Sequence, residues 1–270
     1  MLLTQLARIP GFGRLWRSFP LGSPELRTRF DIWSHPAYAY GVWRAVDLAR
    51  SLGLDGITVA EFGVAGGSGL VALENIADAM ATHFGVDIEV LGFDTGTGNP
   101  APADFRDLPY VWAEGFYRMD QAKLKHRLQH ARLMLGNLAS TVPDALDTLR
   151  HPIGFISFDL DYYSSTMEAF RVFDGPPDSR LPRVFCYFDD LIWPERACYS
   201  EFTGEYAAIR DFNSRRKHKK ISQVAGLRWM RERARAWNEQ IYVLHDFEHA
   251  LYTRNITPPG VEYQQLELRA

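Results

Sequence analysis

Short apolar runs alternate with amphipathic stretches along most of this chain, the pattern that a parallel sheet with crossover helices imposes. The runs at residues 57–62, 90–93, 132–135, 153–158, 184–188 and 241–244 read as strands, with a last one near 261–268. Between residues 37 and 52, Tyr38, Val42, Ala45, Val46 and Ala49 fall on one helical face. Residues 1–34 are a loosely patterned basic and aromatic lead-in, where Pro10, Pro20 and Pro24 are expected to interrupt any helix. The loop holding Pro258, Pro259 and Gly260 is too short for a parallel crossover, so the final strand pair is expected to be antiparallel.

The expected fold class is therefore α/β: a doubly wound, Rossmann-like sheet of seven strands, mostly parallel with an antiparallel last strand. Residues 1–52 would form an N-terminal appendage and lid, and residues 53–270 the core. A chain of 270 residues with a hydrophobic fraction of 46% has ample material for one such core.

Chemistry first shows in Glu61-Phe62-Gly63-Val64-Ala65-Gly66-Gly67-Ser68-Gly69, which follows the first strand and opens a helix over about 70–81. Glycines let the backbone turn sharply and approach a ligand, and the helix start offers free N–H groups. Loops of this kind sit at the carboxyl edge of a doubly wound sheet, where ligands bind. The spacing is not the G-x-G-x-x-G of dinucleotide enzymes. Read as Glu61-x-Gly63-x-x-x-Gly67, it resembles the first motif of class I S-adenosylmethionine-dependent methyltransferases. That resemblance implies that Glu61, Gly63, Ala65, Gly66, Gly67 and Ser68 wrap the methionine part of the cofactor.

The second strand ends at Asp94, followed by Thr95, and a carboxylate there is placed to accept both ribose hydroxyls of a nucleoside. A helix N-cap is the plainer role for such an acid. Asn137, after the third strand, would border the adenine, or else stand in a turn before a helix capped by Ser140 or Thr141.

The fourth strand runs into Asp159-Leu160-Asp161-Tyr162-Tyr163 and the fifth into Asp189-Asp190. Neighbouring parallel strands finish at one edge, so these carboxylates converge beside the proposed cofactor. Solvated acids capping the following helices are the simpler alternative. An all-oxygen cluster otherwise suits a hard divalent ion, Mg²⁺ above all. Such an ion would help methyl transfer to an alcohol by lowering the pKa of a poor nucleophile.

At these residues the chain resembles the macrocin O-methyltransferase group, metal-dependent sugar methyltransferases of antibiotic biosynthesis. The likeness rests on Phe93-Asp94-Thr95, on Asp159-Leu160-Asp161-Tyr162-Tyr163-Ser164-Ser165-Thr166 and on Asp189-Asp190. It extends from Glu61 through Gly204-Glu205-Tyr206-Ala207-Ala208-Ile209-Arg210-Asp211-Phe212. It implies that Asp159 is both metal ligand and general base, with Asp189 and Asp190 completing the metal site. Leu160 stands where the group has glycine, Ser164 where it has glutamate, and Leu181-Pro182-Arg183 where it has a Gly-Gly turn. These departures bear on the sugar acceptor more than on the cofactor.

Charge and cysteines narrow the partners. A net charge of −3 with interspersed signs gives no global pull toward nucleic acid or an anionic membrane. The basic run Arg215-Arg216-Lys217-His218-Lys219-Lys220 reads as a solvated helix end or loop before an RNA or phosphate contact. Cys186 and Cys198 form neither a disulfide framework nor a metal spacing, which fits a reducing cytoplasm. No run approaches 18 apolar residues, and the arginine-punctuated N-terminus lacks the apolar run of a signal peptide. His245-Asp246-Phe247-Glu248-His249 reads as a polar loop with one buried imidazole. Aromatics crowd residues 33–43 and 110–117 and would form a lid or pack ordinarily on the core.

The reading from sequence is a Mg²⁺-assisted O-methyltransferase acting on a small hydroxylated acceptor, with the aromatic lead-in available for contact between subunits of a homo-oligomer. Its rivals are a non-catalytic S-adenosylmethionine-binding protein and a nicotinamide oxidoreductase on the same topology.

Overall fold

The run Gly56–Phe62 forms strand β1, buried along its whole length as a strand covered on both faces must be. In the computed structural model, which describes residues 12–19 and 21–257, β1 lies in the middle of a seven-stranded sheet. Strand β2 (Asp87–Asp94) pairs parallel on one side of it and β4 (Ile153–Phe158) parallel on the other. Strand β3 (Arg132–Leu135) continues the sheet beyond β2, and β5 (Arg180–Phe188) continues it beyond β4, both parallel. Strand β7 (Ile241–Asp246) runs antiparallel to β5 and to the edge strand β6 (Lys219–Gln223), giving the order β3-β2-β1-β4-β5-β7-β6.

Period-2 alternation sends each strand's apolar side chains into two separate cores. Ile57 and Val59 of β1 join one cluster with helices α3 (Pro36–Ser51) and α4 (Ser68–Phe84). Ala60 and Phe62 join the other, with α6 (Leu138–Leu146), α7 (Tyr163–Ala169) and α8 (Gly204–Arg215). The two-layer cover explains why β4 and β5 read as near-continuous apolar runs. The lead-in contributes α1 (Phe12–Ser18) and α2 (Pro24–Arg29), whose Trp16, Phe30 and Ile32 form a small cluster of their own. Short helices α5 (Gln121–Arg127) and α9 (Leu227–Met230) complete the described elements.

Four strands expected from sequence end where expected, at Phe62, Phe93, Phe158 and Phe188, or one residue beyond. The expected strand at 261–268 lies outside the described residues. The seventh strand is instead β6, which begins at the end of the basic run, after the helix end at Arg215 and a short loop. It was invisible to periodicity because it is a lysine-bearing edge strand in which Ile221 alone is buried, a common way to blunt a sheet edge. The basic run is absorbed locally: Arg216 pairs with Asp174 at 2.7 Å, and the Lys219 ammonium donates to the Phe173 carbonyl at 2.7 Å. Pro24 does not interrupt a helix but opens α2, since its missing N–H costs nothing at the first turn. Ser23 caps that turn, accepting from the Leu26 N–H at 3.2 Å.

His245 and Asp246, read as loop, belong to β7. The Asp246 carboxylate accepts two hydrogen bonds from the Arg180 guanidinium, at 2.5 and 2.9 Å, and both side chains are almost wholly buried. Breaking such a pair strands an uncompensated charge. Asp246→Ala is therefore expected to cost about 3–5 kcal/mol of unfolding free energy, read as a lower urea midpoint at unchanged slope.

Candidate active site

Four phenylalanines stand side by side across the sheet just before its carboxyl edge. Phe93 stacks on Phe62 at 4.4 Å between centroids, Phe62 on Phe158 at 5.6 Å and Phe158 on Phe188 at 4.8 Å. Each is in register with the next. The residues that follow them, Asp94, Gly63, Asp159 and Asp189, must therefore emerge in a row. Backbone bonds extend the ladder into that row: Gly63 N–H donates to the Phe93 carbonyl, Asp159 N–H to Phe62 and Asp189 N–H to Phe158, at 2.9–3.0 Å. Gly136 N–H donates to the Asp94 carbonyl at 2.9 Å.

Above this row opens a cavity of about 890 Å³, at the upper end of the range for small-molecule sites. Gly63, Ala65, Asp94, Thr95, Asn137 and Asp159 border it, as do Asp189 and Asp190. A smaller pocket of about 320 Å³ shares Ala65, Asp159 and Asp189 with it and adds Glu61, Gly66 and Ser68. Gly67 borders neither. It takes a left-handed φ of 82° at the start of α4, and a Cβ there would strike Leu124 at 2.3 Å. Gly63 is demanded twice, by a φ of 89° and by the Asp159 carbonyl, which a Cβ would meet at 1.8 Å. A Cβ on Gly66, by contrast, would project into open space.

Several expected binding residues also have local tasks. Asp94 Oδ2 accepts from Ala65 N–H at 2.8 Å and Oδ1 from Gly96 N–H at 2.6 Å, so this carboxylate ties the glycine loop to the second strand tip. Ala65 itself sits at φ 44°, a conformation costly for a residue with a side chain. Thr95 donates to the Gly98 carbonyl at 2.9 Å. Asn137, rather than Ser140 or Thr141, caps α6 by accepting from Ala139 N–H at 2.8 Å. Both hydroxyls instead donate back to the Asn137 carbonyl.

Glu61 faces the α3 side of the sheet. Tyr38 donates to Glu61 Oε1 at 2.7 Å and accepts from Ser157 at 2.8 Å. The other carboxylate oxygen, Oε2, is buried without a partner. Burial above all, with Asp94 and Asp189 nearby, pushes Glu61 up to about 8. Sequence reasoning missed Tyr38 because a tyrosine on an amphipathic face reads simply as core.

The carboxylates beyond the row are packed tightly. Asp159 opens into the cleft, and its titration is pushed well above the ordinary range by desolvation first and then by Asp190 and Asp189. Asp190 is buried; its oxygens accept from Asp161 N–H at 2.8 Å and the Tyr199 hydroxyl at 3.0 Å. Asp189 Oδ1 accepts from the Tyr187 hydroxyl at 2.5 Å. Asp161, held at φ 57° with Asn99 donating to it at 2.8 Å, is raised to about 6, chiefly by burial. Beneath them Glu205 accepts from Asp190 N–H at 3.1 Å and leaves Oε1 unpartnered. Asn99, Tyr199 and the role of Glu205 carried no signal in sequence, since loops and a helix start bring them in from outside the motifs.

The site suits a nucleoside-bearing cofactor: a roomy cavity, a glycine turn whose Gly66 faces open space, and an orphaned carboxylate oxygen of Glu61 in the adjoining pocket. For Mg²⁺ the donors are right in kind, being oxygens only. They are not gathered into a chelate, for among the described residues no group of three or more His, Cys, Asp or Glu side chains is arranged to hold a metal ion.

The sheet order, with an antiparallel strand inserted beside the last, matches a Rossmann-like methyltransferase fold. The chain is similar in structure to CalS11, the calicheamicin methyltransferase, with a TM-score of 0.51 at 19% identity over 90% of this chain and 91% of that one. The O-methyltransferase NovP also matches, with a TM-score of 0.45 at 15% identity over 65% and 70% of the two chains. So does an O-methyltransferase from Bacillus cereus in complex with S-adenosylhomocysteine (SAH), with a TM-score of 0.41 at 10% identity over 90% and 98%. No family model matches the chain, and no curated protein does. At 19% identity the likeness to CalS11 is one of fold. Among the described residues, no helix is long and apolar enough to cross a membrane.

Glu61 links the site to stability. Its folded pKa of about 8 exceeds the ordinary value of 4.5, so between those pH values the folded state binds more protons than the unfolded one. Stability from this group is complete below pH 4.5 and is lost as pH rises through 8. Glu61→Gln should flatten that part of the melting-temperature profile of the ligand-free protein; an unchanged slope would remove Glu61 as its source.

Proposed function

We propose that this protein is an S-adenosylmethionine-dependent O-methyltransferase acting on a hydroxyl of a sugar or another small metabolite. The observation that carries the reading is the row Asp94, Gly63, Asp159, Asp189 along one cavity, with the glycine loop clamped to Asp94. The likeness of the 159–166 and 189–190 segments to the macrocin O-methyltransferase group supports a hydroxylated natural-product acceptor. A cytoplasmic enzyme with residues 1–52 as appendage and 53–270 as core completes the proposal. The acceptor is a small molecule rather than nucleic acid or membrane.

Bound S-adenosylmethionine supplies a methyl group on a positively charged sulfur. Asp94 keeps one lone pair on each oxygen for the ribose hydroxyls, while Glu61, Gly66 and Ser68 border the smaller pocket where the methionine end would lie. Asp159 lies where both pockets meet. There it would take the proton from the acceptor hydroxyl as the oxygen forms its bond to the methyl carbon and the carbon–sulfur bond breaks toward sulfur. The rest of the acceleration comes from holding oxygen, carbon and sulfur in line. We include Mg²⁺ in the proposal, held by Asp159, Asp189 and Asp190, because a divalent cation would relieve the repulsion among them.

Asp159→Asn is expected to lower methylation by on the order of 100-fold or more, measured with labelled methyl donor on an acceptor panel, with SAH binding kept. Chelation of divalent ions in the same assay should depress the rate and added Mg²⁺ restore it. Full activity in the variant would sink the base assignment, and full activity after chelation the metal. SAH should raise the melting temperature while NAD leaves it unchanged; the reverse would favour the oxidoreductase. Binding without turnover on every acceptor would favour the non-catalytic protein.

A further inference from the structure

The wall of the larger cavity carries Asp94, Asp159, Asp161, Asp189, Asp190 and Glu168, and Arg196 is the one cation among its described lining residues. Arg196 makes no hydrogen bond or ion pair with any described residue, although it stands in this acidic surround. Other surface arginines with an acid in reach do pair, as Arg171 does with Glu168 of the same cavity wall at 3.1 Å.

Its backbone is nonetheless fixed. Arg196 is the middle residue of the single turn Glu195–Ala197, and Ala197 is fully buried. The Ala197 carbonyl accepts from the Tyr110 hydroxyl at 2.6 Å, tying this turn to the 105–117 loop, and Tyr199 is held to Asp190. A charged side chain is thus presented to the cleft from a pinned backbone, exposed and without a partner among the described residues. Beside it Trp193 is 69% exposed and Tyr117 50% exposed, both on the cavity wall. The Arg196 charge acts on the Tyr117 phenol against Asp161 and Asp190, which puts cation, ring and acids within one field. Exposed rings of this size in a cleft are binding surface rather than packing.

We infer that Arg196 recognises an anionic group, a carboxylate or a phosphate, on the methyl acceptor, whose ring or apolar part lies against Trp193. This rests on the methyltransferase reading and adds to it the charge of the substrate. The planar fork of arginine pairs with either anion through two parallel hydrogen bonds. A cation at the rim would also hold such an acceptor away from the carboxylates at the floor, leaving its hydroxyl rather than its anionic group toward Asp159.

The test uses benzoate and phenyl phosphate as anionic probes and benzamide as the neutral one, titrated calorimetrically into the full-length protein with and without SAH. At least one anion should bind about tenfold or more tightly than benzamide, as one charge-assisted pair provides. Whichever anion shows the larger preference identifies the source of the charge. Arg196→Gln should abolish the preference, Arg196→Lys keep part of it, and Trp193→Ala weaken all three probes together, with SAH affinity unchanged throughout. A wild type that binds benzamide as well as either anion, a preference that survives Arg196→Gln, or no saturable binding of either anion overturns the inference. Failure of SAH to bind would sink the methyltransferase reading instead, and the titrations without SAH would still report on Arg196.

Discussion

The stacked row Phe93, Phe62, Phe158 and Phe188 is the constraint on which the site depends. A slip of one residue between any two of these strands would send every side chain of one strand to the opposite face. The rings would part and the chain of tip residues behind them would break. Register, rather than any contact among the acidic residues, brings Asp94, Gly63, Asp159 and Asp189 to one edge. The same lock forces β1 and β4 so close that only glycine serves at position 63.

The electrostatics of that edge run against folding. Among the described residues, Glu61, Asp94, Asp159, Asp161, Asp189, Asp190 and Glu205 have no salt bridge with lysine or arginine. They are tolerated through backbone amides and tyrosine hydroxyls, while burial pushes the titration of Glu61, Asp159, Asp161, Asp190 and Glu205 above the ordinary carboxylate range. Left-handed backbone at Ala65 and Asp161 adds strain at the same place. Left-handed backbone and raised carboxylate titrations are thus gathered beside a large cavity, the combination that supports the proposed ligand site. The buried Arg180–Asp246 pair, at the opposite end of β5, shows how a charge kept for structure is treated in this fold: it is matched by a full counter-charge.

The most legible strands were those covered on both faces, although the edge strand β3 was legible as well. Buried on both faces, β1, β4 and β5 announce themselves by apolar content, and a phenylalanine followed by an acid or glycine marks their ends. Strand β6 did not, because an edge strand meets solvent and its lysines donate to the Phe173 and Asn213 carbonyls of neighbouring helical turns. Pro24 misled for a related reason: proline opposes a helix interior but favours a helix start, and only the Ser23 cap distinguishes the two.

Sequence alone determined the sheet class, the glycine turn and the acids at the strand tips, because each depends on neighbours within a few positions along the chain. Tertiary structure decided which oxygens remain free, which are spent on Ala65, Tyr187 or Tyr199, and that Tyr38, Asn99, Trp193 and Arg196 line the two adjoining pockets. Those residues arrive from a helix and from loops whose placement depends on packing across the sheet. No local pattern encodes a contact made between residues more than a hundred positions apart, such as Ser157 with Tyr38.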